Sequence, residues 1–335
     1  MPSMPVSLVT GGAGFIGSHV AEHLVRAGHR VVVLDDLSGG VADNVPAGAE
    51  FVHGSVLEHA HVDALFARRG FDYVYHLAAY AAEGLSHFIK RYNYTNNLIG
   101  TVNLINAAVN HGVKCFVFTS SIAVYGHAPS PMTEETPPVP ADPYGIAKLA
   151  AEQELRVSHD QFGLDYVVFR PHNVYGERQN AADRYRNVAG IFMGQALRGE
   201  PMTVFGDGEQ ERAFTYVGDV APIIAGSVGV PAARNQVFNV GADVPVTVNE
   251  LARMIAAALG VECKLKYLPA RNEVKVAFSD HAKLERVFGR GRKTPLESGL
   301  RAMAQWLRRQ PPREVATFAD LEIRRNLPPS WAPTS

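Results

Sequence analysis

Tyr144 and Lys148 stand four residues apart in Tyr144-Gly145-Ile146-Ala147-Lys148, so on a helix they share one face. A phenol is a poor base near its reference pKa of about 10, but an adjacent ammonium favours the phenolate. Such a pair can take and return the proton of a substrate hydroxyl. Ser121, 23 residues upstream of Tyr144 at the end of an apolar run, offers a hydroxyl that can share that proton. Taken alone, Tyr-x-x-x-Lys is more often a solvated helix pair. A second constellation changes that balance. The run Ser7–Thr10 leads directly into Gly11-Gly12-Ala13-Gly14-Phe15-Ile16-Gly17, which opens a helical pattern. Glycine permits a tight turn, lets backbone approach a pyrophosphate and allows helix and strand to pack closely. The helix start adds free N–H groups and a partial positive charge. Asp35 ends the next apolar run, 18 residues after Gly17, near the spacing of a ribose-binding carboxylate. A carboxylate there suits a ribose diol and repels a 2′-phosphate, and no Lys or Arg occurs between Arg30 and Arg68 to neutralise one. The pattern predicts NAD rather than NADP.

The elements that must position these groups are legible as alternating patterns. Apolar, β-branched runs at Ser7–Thr10, Arg30–Asp35, Glu50–His53, Tyr73–Leu77, Cys115–Ser120 and Asp165–Arg170 read as strands. Amphipathic segments at Gly17–Ala27, Val62–Arg69, Leu98–His111 and Ile146–Phe162 lie between them. Continuous apolar strands separated by helices indicate βαβ units and a parallel sheet covered on both faces. Right-handed crossovers then give an α/β, doubly wound parallel (Rossmann) sheet. Beyond Arg170 the rhythm loosens: Pro171–Asn187 reads as a loop, Val188–Leu197 and Leu251–Leu259 as helices, and Gln236–Val240 as a strand returning to the main sheet. The expected organisation is a cofactor domain over residues 1–172 with a return near 217–242, and a smaller, discontinuous α/β substrate domain over 173–216 and 243–335. The tail beyond Gln310, rich in Pro and Arg, is expected to lie across the surface.

The order of motifs resembles the extended short-chain dehydrogenase/reductases, in particular their nucleotide-sugar epimerase/dehydratase group, and most closely its UDP-sugar 4-epimerases. The matching stretches are TGGAGFIGSH, HLAAY (His76–Tyr80), NNLIGT (Asn96–Thr101), TSSIAVYG (Thr119–Gly126), DPYGIAK (Asp142–Lys148), RPHNVYG (Arg170–Gly176), VFGDGEQERAFTYVGDVA (Val204–Ala221) and FNVGADVPVTVNELA (Phe238–Ala252). The resemblance implies roles. Gly11, Gly14, Phe15, Ile16 and Gly17 correspond to the phosphate loop and Asp35 to the ribose ligand. Leu77, Ala78, Ala79 and Asn97 fall on further cofactor positions, as do Ser55 and Val56, although Ser55 stands where many relatives carry an adenine-binding Asp. Ser121, Tyr144 and Lys148 match the catalytic triad, Lys148 also reaching the nicotinamide ribose. Asn173, Val204, Phe205, Arg212 and Arg271, with Ser121 and Tyr144, match substrate positions, the two arginines forming a diphosphate clamp of bidentate donors. The aspartate that usually follows the arginine corresponding to Arg212 is replaced by Ala213, and His172 stands where several relatives carry Phe, which makes it a packing residue.

The resemblance also separates reactions. Dehydratase relatives carry Asp-Glu directly after the Ser/Thr, where this chain has Ile122 and Ala123. The decarboxylating branch needs an acid, and the 3,5-epimerising branches a cysteine, at the position of Ala123. What remains is chemistry that needs only Tyr, Lys, Ser and NAD, namely 4-epimerisation through a transient 4-keto sugar. The implied substrate is a UDP-hexose. Asn180, two residues past Arg178, replaces an arginine of uronate-specific relatives, whereas Arg184 and Arg186 keep a uronate open, and Ala277 leaves room for an N-acetyl group. A reductase or dehydrogenase of the same fold, and a non-catalytic nucleotide sensor, are the competing classes.

Composition sets the outer bounds. With 335 residues, 47% hydrophobic and 19% charged, the chain can build a large core. Its 32 basic and 33 acidic residues give a net charge of −1, so no general basic field recruits nucleic acid or an anionic membrane. Two cysteines and scattered histidines favour neither a disulfide scaffold nor a metal site. No stretch has the pattern of a signal or membrane segment, and a cytoplasmic setting is expected. The resemblance implies a homodimer through Leu98–His111 and Ile146–Phe162.

Overall fold

The computed structural model describes residues 4–270, 274–311, 313–315, 318–328 and 331. The six apolar runs of the first half form strands β1 (Val6–Thr10), β2 (Arg30–Asp35), β3 (Glu50–His53), β4 (Tyr73–His76), β5 (Cys115–Thr119) and β6 (Tyr166–Pro171). Between them lie α1 (Phe15–Arg26), α2 (His59–Arg69), α3 (Glu83–Ser86), α4 (Lys90–Tyr94), α5 (Gly100–Asn110) and α6 (Pro143–Phe162). All neighbouring strands of the central sheet are parallel, in the order β3-β2-β1-β4-β5-β6, and Gln236–Val240 adds a seventh beside β6. This is a doubly wound α/β sheet. Alternate side chains feed opposite faces. Leu8, Val32, Leu34, Val74, Phe116 and Phe118 pack against Leu65, Leu104 and Leu155 from α2, α5 and α6. Val9, Val31, Val33, Val117 and Phe169 pack against Val20 and Leu24 of α1 and Val220 and Ile224 further on. Each fully buried aliphatic or aromatic side chain contributes about 1.5–3 kcal/mol relative to exposure.

Two local differences from the sequence pattern matter for the site. Helix α6 begins at Pro143, ahead of the expected Ile146, because Asp142 caps it: its Oδ1 accepts from the Gly145 N–H at 2.8 Å, with proline at the first helical position. The segment expected as Leu98–His111 begins in a π-helical turn, Thr95–Ile99, which joins α4 to α5 and carries Asn97 into the interior.

The later elements are β7 (Val174–Tyr175), α7 (Val188–Leu197), β8 (Met202–Phe205), β9 (Glu211–Ala213), β10 (Thr215–Tyr216), α8 (Val217–Gly226), β11 (Gln236–Val240), β12 (Pro245–Thr247), α9 (Val248–Leu259), β13 (Leu265–Leu268), β14 (Val276–Ala277), α10 (Ala282–Phe288) and α11 (Leu296–Leu307). Strand β7 lies in the stretch expected as a loop and pairs with β10. β8 pairs with β13, and β9 lies between β12 and β14. A capping box of Thr247 and Glu250 starts α9. α7, α9 and α11 enclose a separate core of Phe192, Met193, Val204, Leu251, Ile255, Leu300 and Met303. The described residues of 311–328 are exposed or half-buried, as a segment lying across the surface would be, while Trp331 is 7% exposed among Ala82, Leu85, Ile89 and Tyr185, because its indole covers apolar area that would otherwise face water. Among the described residues, no helix is long and apolar enough to cross a membrane.

Candidate active site

At the carboxyl ends of β1 and β2 the backbone is shaped to admit a ligand. Gly11 has φ +68°, and a Cβ there would lie 2.6 Å from the Ala78 nitrogen; a Cβ on Gly17 would lie 2.1 Å from the Gly11 carbonyl oxygen. Neither position accepts a side chain, so the loop closes tightly on the start of α1. Gly14 caps α1 without a side-chain hydrogen bond, which leaves the helix start as an anion-binding end. Asp35, 8% exposed, accepts from the N–H groups of Ala13 at 3.0 Å and Leu37 at 2.8 Å. Burial raises its pKa, and these backbone donors oppose the shift. A glycine cradle with an anchored carboxylate at its rim fits the phosphates and ribose of a dinucleotide.

The candidate reactive hydroxyls, of Ser121 just after β5 and of Tyr144 in the first turn of α6, lie on one cleft. Ser121 Oγ accepts from the Ala123 N–H at 3.1 Å, leaving its own hydrogen for another acceptor, and it lies near enough to Tyr144 to influence the phenol. Tyr144 is anchored through its backbone N–H, which donates to Ser86 Oγ at 3.3 Å. Lys148, 2% exposed, donates from Nζ to the Thr119 carbonyl at 2.8 Å, and Nζ lies 5.8 Å from the Tyr144 ring centroid. The Tyr-x-x-x-Lys spacing predicts that Lys148 lowers the Tyr144 pKa. In the folded chain burial dominates, pushing the phenol well above its ordinary range, with the nearby Ser121 hydroxyl opposing. Burial likewise pushes Lys148 down to about 7, against the raising influence of Glu152.

Behind these groups runs a polar network that sequence reasoning did not find. Glu152, one turn after Lys148, accepts from Ser120 Oγ at 2.5 Å and, through both oxygens, from Arg170 at 2.9 and 2.5 Å. Arg170 also donates to Tyr125 Oη at 2.8 Å, which donates to Asn239 at 2.7 Å. The ends of β5, β6 and β11 are thus tied to the helix that carries Tyr144 and Lys148. A charged residue at the four-residue spacing from Lys148 was the available signal.

One cleft of about 1220 Å³ brings most of the expected residues together. Gly11, Gly14, Phe15, Ile16, Gly17, Asp35 and Val56 line it, as do Leu77, Ala78 and Ala79. Ser121, Tyr144 and Lys148 share it with Asn173, Phe205 and Arg212. Asn173 has φ +41°, a left-handed conformation that asparagine tolerates. Arg212 Nη1 donates to the carbonyls of Glu211 at 2.8 Å and Lys275 at 3.2 Å.

Three expected residues are placed elsewhere. Ser55 is not part of the cleft wall; its Oγ accepts from the Leu57 N–H at 3.3 Å. Asn97 is buried, its amide bonded to the backbone N–H and carbonyl of Tyr80 at 2.8 and 3.1 Å and to Asn93 at 2.8 Å; it positions Tyr80 instead of lining the cleft. Val204 is fully buried in the α7–α9–α11 core, since strand alternation turns Phe205 to the cleft and Val204 away. Arg271 lies outside the described residues. Arg178 is paired with Glu22 of α1 at 2.7 Å, while Asn180, Arg184, Arg186 and Ala277 line the cleft. Arg186 pairs with Asp183 at 2.9 Å and stacks 4.8 Å over the Tyr80 ring centroid. It comes within reach of Gly39, where a Cβ would lie 3.0 Å from the guanidinium, an approach that no count of local Lys and Arg could reveal.

His172 is buried and forms part of the cleft wall. It stacks on His281, with the two Nε2 atoms 3.2 Å apart, and Asp243 accepts from His281 Nδ1 at 2.6 Å. Burial and His281 push the His172 pKa down to about 3. Among the described residues no group of three or more His, Cys, Asp or Glu side chains is arranged to hold a metal ion.

Comparison with known proteins adds the context of this cleft. The chain is similar to the UDP-glucose 4-epimerase of Thermotoga maritima, solved with UDP-glucose, at 36% identity and a TM-score of 0.86, covering 90% of this chain and 98% of that one. It is similar to the UDP-N-acetylglucosamine 4-epimerase of Methanobrevibacter ruminantium, solved with UDP-N-acetylmuramic acid, at 32% identity and TM-score 0.84, covering 92% and 99%. The UDP-glucuronic acid 4-epimerase of Bacillus cereus, solved with UDP-glucuronic acid and NAD, matches at 27% identity and TM-score 0.83, covering 90% and 99%. The profile of the NAD dependent epimerase/dehydratase family matches residues 7–241, and with the glycine cradle, Asp35 and the Ser121–Tyr144–Lys148 group on one cleft, the chain belongs to that family.

Proposed function

We propose that the chain interconverts the C4 epimers of a UDP-hexose of the glucose/galactose type, using NAD held in place. The observation that carries this is the composition of the cleft around the proton-handling pair. Ser121, Tyr144 and Lys148 line one cleft, Lys148 one turn after Tyr144, and the residues after Ser121 are Ile122 and Ala123. Those two side chains exchange no protons, so elimination and carbon-acid chemistry lack their groups. The three similar enzymes described above are all named as 4-epimerases of UDP-sugars.

Gly11, Gly14 and Gly17 with the start of α1 would hold the phosphates of NAD, Asp35 its adenosine ribose and Lys148 its nicotinamide ribose. Bound NAD supplies the redox partner for the sugar C4 and, when oxidised, a positive charge near the phenol. Tyr144 takes the 4-hydroxyl proton as C4 is oxidised, with Ser121 orienting that hydroxyl. Asn173 and Arg212 hold the diphosphate while the 4-keto sugar turns. Tyr144 then returns the proton as C4 is reduced from its other face. Burial of Lys148 keeps water from its ammonium, which strengthens its field at the phenolate.

Substituting Asp35 with serine is expected to weaken NAD affinity about tenfold to a hundredfold, the value of a charge-assisted hydrogen bond, while NADP affinity rises. Calorimetric titration of both cofactors checks this, and an unchanged preference would remove Asp35 from the ribose site. Incubation with UDP-glucose, UDP-N-acetylglucosamine and UDP-glucuronate, followed by separation of C4 epimers, tests the activity itself. Epimers should form without net absorbance change at 340 nm; stoichiometric NADH release would point to a dehydrogenase instead. The uronate is the second reading, favoured by Arg184 and Arg186 on the cleft wall. We also propose a homodimer through the helices around α5 and α6, supported by the exposed Ile99, Ile146 and Val157.

A further inference from the structure

We infer that Trp331 and the C-terminal segment that carries it form the sugar-side wall of the cleft, making Trp331 a specificity-determining residue for the moiety attached to the nucleotide. This rests on the UDP-sugar reading above and goes beyond it, because no motif of the sequence extends to this segment.

The segment is fastened to the body at specific points. The Phe318 N–H donates to Tyr185 Oη at 3.3 Å, and the Phe318 ring meets Tyr92 edge-on at 4.9 Å between centroids. Glu322 accepts from the N–H groups of Arg91 and Tyr92, both at 2.9 Å, and so caps the start of α4. The N–H groups of Glu322 and Ile323 in turn donate to the Phe88 carbonyl at 2.9 and 3.1 Å. After these anchors the chain turns toward the cleft, where Asn326, Leu327, Pro328 and Trp331 are part of the wall.

The seat of the indole is built for it. A Cβ on Gly84 would lie 3.1 Å from Trp331 Cη2, so glycine at this point of α3 leaves the space that the ring fills. Phe88 and Tyr185 meet the indole edge-on at 6.0 and 5.3 Å between centroids. The same short helix α3 reaches the reactive tyrosine: Ser86 Oγ accepts from the Tyr144 N–H, and the Glu83 charge bears on the phenol. Trp331 is thus tied to the end of the cleft where proton transfer occurs, whereas Phe205 and Arg212 come from β8 and β9. A broad apolar ring with a polar N–H suits the C–H face of a pyranose. It bounds the space in which a 4-keto sugar must turn and limits the substituents admitted there.

The test uses the fact that the chain has only two tryptophans. In full-length protein carrying Trp306→Phe, the remaining fluorescence reports on Trp331. UDP-glucose, UDP-N-acetylglucosamine and UDP-glucuronate are titrated against UDP alone. At least one UDP-sugar should alter the emission and UDP should not. In otherwise wild-type protein, Trp331→Ala should raise KM for the sugar that is turned over about threefold to tenfold, with inhibition by UDP unchanged. Glu322→Ala, which releases the anchor at α4 but leaves the indole intact, should raise the same KM. Identical emission responses to UDP and to every UDP-sugar, or an unchanged KM in both variants, would overturn the proposal. If the unmodified chain epimerises none of the three sugars, the activity reading fails, while the fluorescence comparison still decides whether Trp331 meets the sugar.

Discussion

Replacing Tyr144 with phenylalanine is expected to lower epimerisation about a hundredfold to ten-thousandfold, the usual loss when a positioned proton-transfer group is removed. Binding should survive. The hydroxyl faces Ser121, whereas the Tyr144 backbone is held separately by Ser86, and α6 keeps its Asp142 cap. Affinity for UDP measured by calorimetry should therefore stay within a few-fold of the parent. That combination separates an enzyme from a nucleotide sensor: full function in Tyr144→Phe would exclude the proton-transfer role. Ser121→Ala should be milder. Its hydroxyl shares the proton without being its final holder, and the Ala123 N–H that it loses as a partner lies only partly buried.

The second large effect is expected at Glu152, which touches neither proposed ligand. Glu152 and Arg170 are 7% and 6% exposed and form a bidentate pair. Burial works against the Arg170 charge, but Glu152 and Tyr125 more than offset it and raise its pKa further above the usual range. Removing one member leaves the other charged and unpaired inside the protein, a loss of about 3–5 kcal/mol. Glu152→Ala should therefore move the urea midpoint far down at an unchanged slope; a midpoint within error of the parent would contradict the buried-pair argument. Glu152→Gln probes function. Lys148 sits near 7 because burial lowers it, and the Glu152 charge is what raises it. Only the ammonium form can stabilise the Tyr144 phenolate, so activity falls as pH rises through the Lys148 pKa. Without the Glu152 charge that pKa drops, and the alkaline limb of the kcat/KM profile should shift to lower pH. A purely structural role would lower activity evenly across the profile.

Much of the site was legible because its chemistry is local. Gly11, Gly14 and Gly17 recur at the spacing a strand–turn–helix imposes, and Asp35 ends the next strand. Tyr144 and Lys148 lie on a single helix at the spacing that puts them on one face. The strand pattern was readable for the same reason: strands buried on both faces are continuously apolar. What the pattern along the chain does not give is the direction of a side chain at one position. Val204 and Phe205 are adjacent, yet the pleat sends one into the core and the other into the cleft. Asn97 falls in a family motif, but a π-helical turn points it at the Tyr80 backbone. Ser55 lies beside Val56, which lines the cleft, but is itself occupied with the Leu57 N–H.

Local spacing along the chain thus determined the doubly wound α/β class, the glycine-loop pattern and the Tyr144–Lys148 spacing, since each is set by residues within a few turns of one another or by successive βα units. Tertiary structure alone decided which distant groups meet them. Arg170 and Glu152 neutralise each other across β6 and α6. Arg186 reaches Gly39 from the loop that precedes α7. Trp331 closes on Gly84 from near the C-terminus. No periodicity encodes such contacts. They arise because burial excludes water from charges and aromatic rings, which leaves other parts of the chain as their only partners.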